Sequence, residues 1–174
     1  VLDELTRSLA VALSNTNGGD GHTLSIQLSD LFIKDMAENS VLPISNFDLV
    51  ETPDTLRPVV SSGFVNFSTG LLQITSNETL DMTPSATTVN LNGFTIHNDA
   101  SSSIVSLAGA SILDVDAVTF EITMTEEQRA LAIALSNVPG GDGSPSRLSI
   151  VSGSFVDVAT NDNVEVIGLQ LSEV

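Results

Sequence analysis

The chain has 174 residues, enough for one domain or for one and a half small ones, and its 41% hydrophobic residues can fill a core of Val, Leu, Ile and Ala with no Trp or Tyr. Its 22 acidic against 5 basic residues leave a net charge of −17, which disfavours a phosphate-backbone reader and an anionic-membrane binder, since both need clustered Lys and Arg. Cysteine is absent, so no disulfide scaffold exists, and no apolar run approaches the ~18 residues of a membrane-spanning helix.

The chain opens in mid-pattern at Val1-Leu2-Asp3 with no visible signal peptide, as expected of a mature or truncated segment. Asp3 is a good helix N-cap and Glu4 suits a first turn. A short helix is expected from here to the Gly18-Gly19-Asp20-Gly21 loop, which ends it. About three strands follow, with apolar faces in 24–33 and 41–50. Thr52-Pro53-Asp54 then has turn chemistry and marks a boundary. Beyond it, strands are predicted at 59–67, 71–75, 88–96, 103–107 and 117–124, the last with clear apolar alternation.

Residues 125–143 then repeat residues 3–21. At an offset of 122, 12 of 19 aligned residues are identical, including the Gly140-Gly141-Asp142-Gly143 loop. Thr125 and Gln128 have the spacing of a capping box. A helix is preferred for the run to Ser136-Asn137, with Gln128, Leu131, Ala132 and Leu135 on one face, although alternation in 131–135 also permits a strand. Both Gly-rich loops read as connectors, since neither opens a helix nor precedes a Lys as a phosphate loop would. Strands are predicted at 147–151, 154–158 and 164–171. The alignment continues after a small insertion. Leu24-Ser25-Ile26 answers Leu148-Ser149-Ile150, and Phe32-Ile33 answers Phe155-Val156. The runs 35–39 and 157–161 match, as do 47–51 and 169–173.

Residues 1–51 are thus the tail half of one repeat, and 52–174 are one complete repeat. Each repeat holds seven or eight short strands and a short helix. The expected fold is mainly β, an immunoglobulin-like β-sandwich repeat with short helices. Either both halves pack into one pseudo-symmetric domain, or the chain is a window on a longer tandem polypeptide. Alone, 1–51 exposes strand edges and an apolar face. Completion by strands of a neighbouring copy, against an acceptor surface in 59–124, is the expected remedy.

Little in the sequence points to chemistry. His22 and His97 stand in unrelated contexts, and no metalloprotease or nucleophile-elbow motif occurs, so no catalytic residue and no enzymatic activity are assigned. Two N-glycosylation sequons start at Asn66 and Asn77, both on strand faces expected to meet solvent, making N-linked glycans the expected modification. Weak calcium candidates are Asp114 and Asp116, joined by the acidic group 161–163 and by Asp20 and Asp142. Their spacing matches no EF-hand, and solvated loop carboxylates are the plainer reading. No cofactor is expected.

The segment Asp54-Thr55-Leu56-Arg57-Pro58-Val59, an alternating strand and then Leu71 to Asp81 follow one another in a familiar order. That order resembles the tandem immunoglobulin-like repeats of large secreted surface and fibre proteins of bacteria and algae, over about residues 52–96. The helix and Gly-Gly-Asp-Gly element depart from a plain immunoglobulin-like domain. The resemblance implies an extracellular or cell-surface structural role and no active site. The expected function is a subunit of a glycosylated extracellular fibre or appendage. Its expected partners are copies of itself, in a helical or linear polymer, without nucleic acid and without membrane insertion. The rival is a calcium-stiffened adhesin repeat that holds a cell surface or polysaccharide.

Overall fold

Capping chemistry starts the first element. In the computed structural model, which describes residues 2–30, 33–100 and 102–174, the Asp3 carboxylate accepts the N–H of Thr6 at 2.8 Å. Helix α1 (Glu4–Ala12) follows and is closed by Leu13. Strands β1 (Ser25–Leu28) and β2 (Ile44–Asp48) then form an antiparallel pair, with Ile26 opposite Phe47 and Leu28 opposite Ile44. These elements belong to the first of two compact units, Val1–Asp54 and Thr55–Val174.

The Gly-rich loop after α1 is a built turn rather than a loose connector. Gly18 and Gly21 both have φ of 83°, a region that costs a side-chain-bearing residue about 1 kcal/mol or more. A Cβ on Gly19 would lie 2.0 Å from the Ser14 carbonyl oxygen, so nothing larger fits. Asp20 accepts the N–H of His22 at 2.9 Å and sets the exit of the turn.

The second unit has nine strands: β3 (Val60–Asn66), β4 (Leu71–Leu80), β5 (Phe94–His97), β6 (Ile104–Ser106), β7 (Ser111–Ile112), β8 (Ala117–Thr123), β9 (Arg147–Ile150), β10 (Val166–Gln170) and β11 (Ser172–Glu173). Helix α2 (Ser85–Thr88) lies between β4 and β5, and α3 (Glu126–Ala134) between β8 and β9. One sheet has the order β11-β3-β4-β8-β7, and the other β10-β9-β5-β6. Every pairing is antiparallel except β11 with β3, which is parallel.

One apolar core joins the two sheets. Val65, Leu72, Ile74 and Ile122 of the first are buried with Phe94, Ile96, Leu148 and Ile150 of the second. Three rings meet at its centre: Phe94 stands edge-on to Phe120 at 6.3 Å, and Phe155 lies 6.1 Å and 5.7 Å from them. The protein is therefore mainly β, and the two sheets of the second unit have a sandwich-like arrangement. Helix α3 starts with a full capping box, in which Thr125 and Gln128 satisfy one another's backbone N–H groups.

The structure corrects three sequence expectations and adds two short strands. Residues 1–51 hold two strands rather than three among the described residues, the remainder being an isolated bridge between Lys34 and Ser40. The predicted strand 88–96 is a helical turn, a 3-10 turn at Leu91–Gly93 and only then β5. The hydroxyls of Thr87 and Thr88 both bond the Pro84 carbonyl, and Asn90 takes the N–H of Asn92, so side chains outcompete the ladder. The predicted strand 154–158 is reduced to isolated bridges at Phe155, Val156 and Asp157. Asn163 accepts the N–H groups of Ser154 and Phe155, and Asp157 accepts those of Ala159 and Asn161. The short strands β7 and β11 escaped notice, as two residues carry no period.

Asn163 is wholly buried and donates from its amide nitrogen to the carbonyls of Val151 and Val164 while its oxygen serves two donors. Asn163→Ala should therefore strand several buried backbone groups and cost at least about 2 kcal/mol. Phe155→Ala should cost about 3–5 kcal/mol through the void it leaves. Urea unfolding of both variants, followed by far-ultraviolet circular dichroism, checks the pair.

Candidate interaction surface

The surface of interest follows from a comparison of the chain with itself. Helix, turn, hairpin and closing segment occur twice, and several side-chain bonds recur at equivalent positions. The N–H groups of Asn15 and Leu24 both bond the Glu51 carboxylate; those of Asn137 and Ser146 both bond Glu173. Asp35 holds the N–H groups of Ala37 and Asn39, as Asp157 holds those of Ala159 and Asn161. The left-handed residues Glu38 and Asn46 answer Thr160 and Gly168.

This places the alignment at a constant offset of 122 and removes the insertion expected from sequence. Ile26 pairs with Phe47 as Leu148 pairs with Leu169, and Leu28 with Ile44 as Ile150 with Val166. Leu24-Ser25-Ile26 therefore answers Ser146-Arg147-Leu148, and Ile33 answers Phe155. The chance triplet Leu-Ser-Ile, two residues out of step, misled the sequence alignment. Phe32, the other half of that expected match, lies outside the described residues.

The two copies differ in what covers them. In the second, β9 is flanked by β10 and by β5, where Ile96 lies opposite Leu148. Gln128 donates to the carbonyls of Ser106 and Ala108, Arg129 to that of Phe67, and Asn98 bridges the Leu135 carbonyl and the Asp142 carboxylate. In the first copy β1 pairs with β2 alone among the described residues. Ile26 is 40% exposed where Leu148 is at 0%, Leu13 57% where Leu135 is at 6%, and Ile33 51% where Phe155 is at 0%. Such an apolar face beside an open strand edge is what soluble proteins normally cover.

The residues singled out from sequence are dispersed. Asn66, half-buried, ends β3 between the buried Val65 and Phe67, and its amide oxygen accepts the N–H groups of Ser68 and Thr69. Asn77 is exposed on β4 and accepts the N–H of Val59 at 2.7 Å. Asp116 accepts from the Met82 N–H and the Thr83 hydroxyl, and Asp114 from the Ser85 N–H. Both thus pin the 82–85 loop, work for which carboxylate oxygens suffice. Asp142 likewise turns its loop by accepting the Ser144 N–H. His97 meets Ser149 at 2.9 Å on the sheet, while His22 is exposed beside Asp20.

What sequence reasoning missed is the paired role of Glu51 and Glu173 as clamps between the loop after the helix and the hairpin beyond it. The signal was present, because Glu recurs at 51 and 173 at the repeat offset. Its purpose was illegible, since each carboxylate reaches backbone 27 and 36 residues away. Comparison of the chain with family models, curated proteins and solved structures returns no match.

Two outcomes are expected. Leu148→Ala should cost about 2–5 kcal/mol, while Ile26→Ala at the equivalent open position should cost less than about 1 kcal/mol, by denaturant titration of each variant. Asp81 concerns charge. Burial raises its pKa above the ordinary aspartate value, the Thr83 N–H partly offsets this, and the Asp116 charge adds to the rise. A raised folded pKa means that the group's contribution is present at low pH and is lost as pH rises through that folded value. Asp81→Asn should therefore gain on the parent at neutral pH. The gap should close on acidification through the carboxylate range, as read from melting temperatures at stepped pH.

Proposed function

We propose that the chain is a structural segment of an extracellular fibre or surface appendage built from tandem immunoglobulin-like repeats. The observation that carries this reading is the recurrence of one helix–turn–hairpin module at a constant 122-residue offset, with its side-chain clamps intact. Repetition at that fidelity suits a protein whose length does the work, as in stalks and fibres.

Strand order supports the immunoglobulin-like part. Labelled A to G from β3, with β6 as C′, one sheet runs A-B-E-D (β3-β4-β8-β7) and the other C′-C-F-G (β6-β5-β9-β10). That is the order of immunoglobulin-like sandwiches. Helix α3 is inserted between E and F, and β11 lies parallel along A as an added edge strand. In these terms residues 1–54 supply the helix, F and G of a further repeat. Their open edge favours assembly in which successive repeats complete one another head to tail. The acidic surface keeps such polymers apart from one another at low salt.

Glycans on Asn66 and Asn77 fit this setting. Each uses its amide oxygen in local hydrogen bonds, which orients the amide nitrogen that a glycan would take. Electron microscopy of native material tests the proposal: helical or linear density with sugar at these two asparagines supports it, and dispersed single particles overturn it. Asn77→Gln should remove one glycan's mass from the secreted protein with a change of less than about 0.5 kcal/mol in stability. The rival adhesin reading predicts a different result, a melting temperature that falls when calcium is chelated.

A further inference from the structure

The open face of residues 1–54 has a determinate occupant, because its equivalent is covered in the same chain. In the second copy the cover is the stretch 55–124, the head half of the repeat. It presents β5 to the edge of β9, the Ser106 and Ala108 carbonyls to Gln128, the Phe67 carbonyl to Arg129, and Asn98 to the helix end and the Gly-rich loop. Part of the receiving surface recurs in the first copy, although Thr6 stands where Gln128 does. Arg7 stands for Arg129 and carries the same ion pair to the glutamate three residues before it, while its other guanidinium nitrogen pairs with Asp54. The Leu13 carbonyl and Asp20 stand for the two acceptors of Asn98. The edge of β1 stands for that of β9.

Counting halves settles who can fill this face. Each copy of the 174 residues carries two tail halves, 3–51 and 125–173, but one head half, 55–124. That head half is already engaged by its own tail, where Phe94, Ile96, Leu148 and Ile150 share one core. If a second copy lent its head half to residues 1–54, it would uncover its own residues 125–174. Identical copies exchanging strands therefore always leave one tail half per chain bare, and exchange gains no net burial. We infer that the partner of residues 1–54 is an additional head half, a polypeptide stretch of about 70 residues with the strand order and apolar pattern of 55–124. It should carry an asparagine at the position of Asn98. The inference rests on the repeat reading but not on the existence of a fibre.

The connection is short in the second copy, where β8 ends at Thr123 and Thr125 already caps α3. A test follows from this. A duplicate of residues 55–123 is fused ahead of residues 2–174, so that Leu2 takes the place of Met124. Amide hydrogen exchange is then followed at Ser25–Leu28, with Arg147–Ile150 as the internal standard. The expected result is exchange at Ser25–Leu28 slowed at least about 100-fold relative to the 174-residue chain, approaching the standard. Ile26→Asp in the fusion should abolish that gain and leave the standard unchanged. Unaltered exchange at Ser25–Leu28, with the standard intact, overturns the inference. So does protection of these amides in the 174-residue chain alone as its concentration is raised and it dimerises, because the occupant would then be a second copy. Neither overturning result bears on whether native material is fibrous, which microscopy decides separately.

Discussion

An inner strand of a two-sheet sandwich has two obligations. Its edge must find a ladder partner, and its inward side chains must find an opposing sheet. Strand β9 meets both through β5 and the ring cluster of Phe94, Phe120 and Phe155. The rest of the repeat is arranged around this. Gln128, Asn98 and Arg129 tie the α3 region to the stretch that supplies β5, and Asn163 holds the approach to β10. A two-stranded hairpin by itself is marginal in water, so the pairing of β9 with β5 decides whether the tail half is a stable body or an exposed one.

The first copy shows how much of the module survives without that partner. Its shape is kept by devices internal to residues 2–54: the Asp3 cap, the Gly18–Gly21 turn, the Asp35 loop and the Glu51 clamp. All are hydrogen bonds to nearby backbone or to the hairpin itself, and none needs an opposing sheet. Shape is therefore preserved while apolar side chains such as Ile26 and Leu13 stay in water. Local polar bonds set the geometry, and burial supplies the free energy that makes it durable.

On the proposed function, this division suits tandem assembly. Each tail half is preorganised by its own clamps, so joining a head half orders few additional groups and the cost of docking is small. The parallel strand β11 extends the contact by running along β3, which ties the end of a repeat to its beginning.

Mainly β character, the helix before each Gly-rich loop and the duplication were all legible in the sequence, because they rest on local signals. These were alternation in 117–124, a capping box at Thr125 and Gln128, and identities at one offset. The candidate surface was legible only as an incomplete half. The exact register was not, since a chance Leu-Ser-Ile triplet is locally as good as the true pairing, and only cross-strand partners tell them apart. Nor could the sequence show that 154–158 is not a continuous strand, because the side chain that binds its first two N–H groups comes from Asn163. Strand order, the Glu51 and Glu173 clamps and the contrast between a bare Ile26 and a covered Leu148 were decided by tertiary structure alone. The physical reason is distance along the chain: alternation and caps act within a few residues, whereas ladders and burial join residues that only the fold brings together.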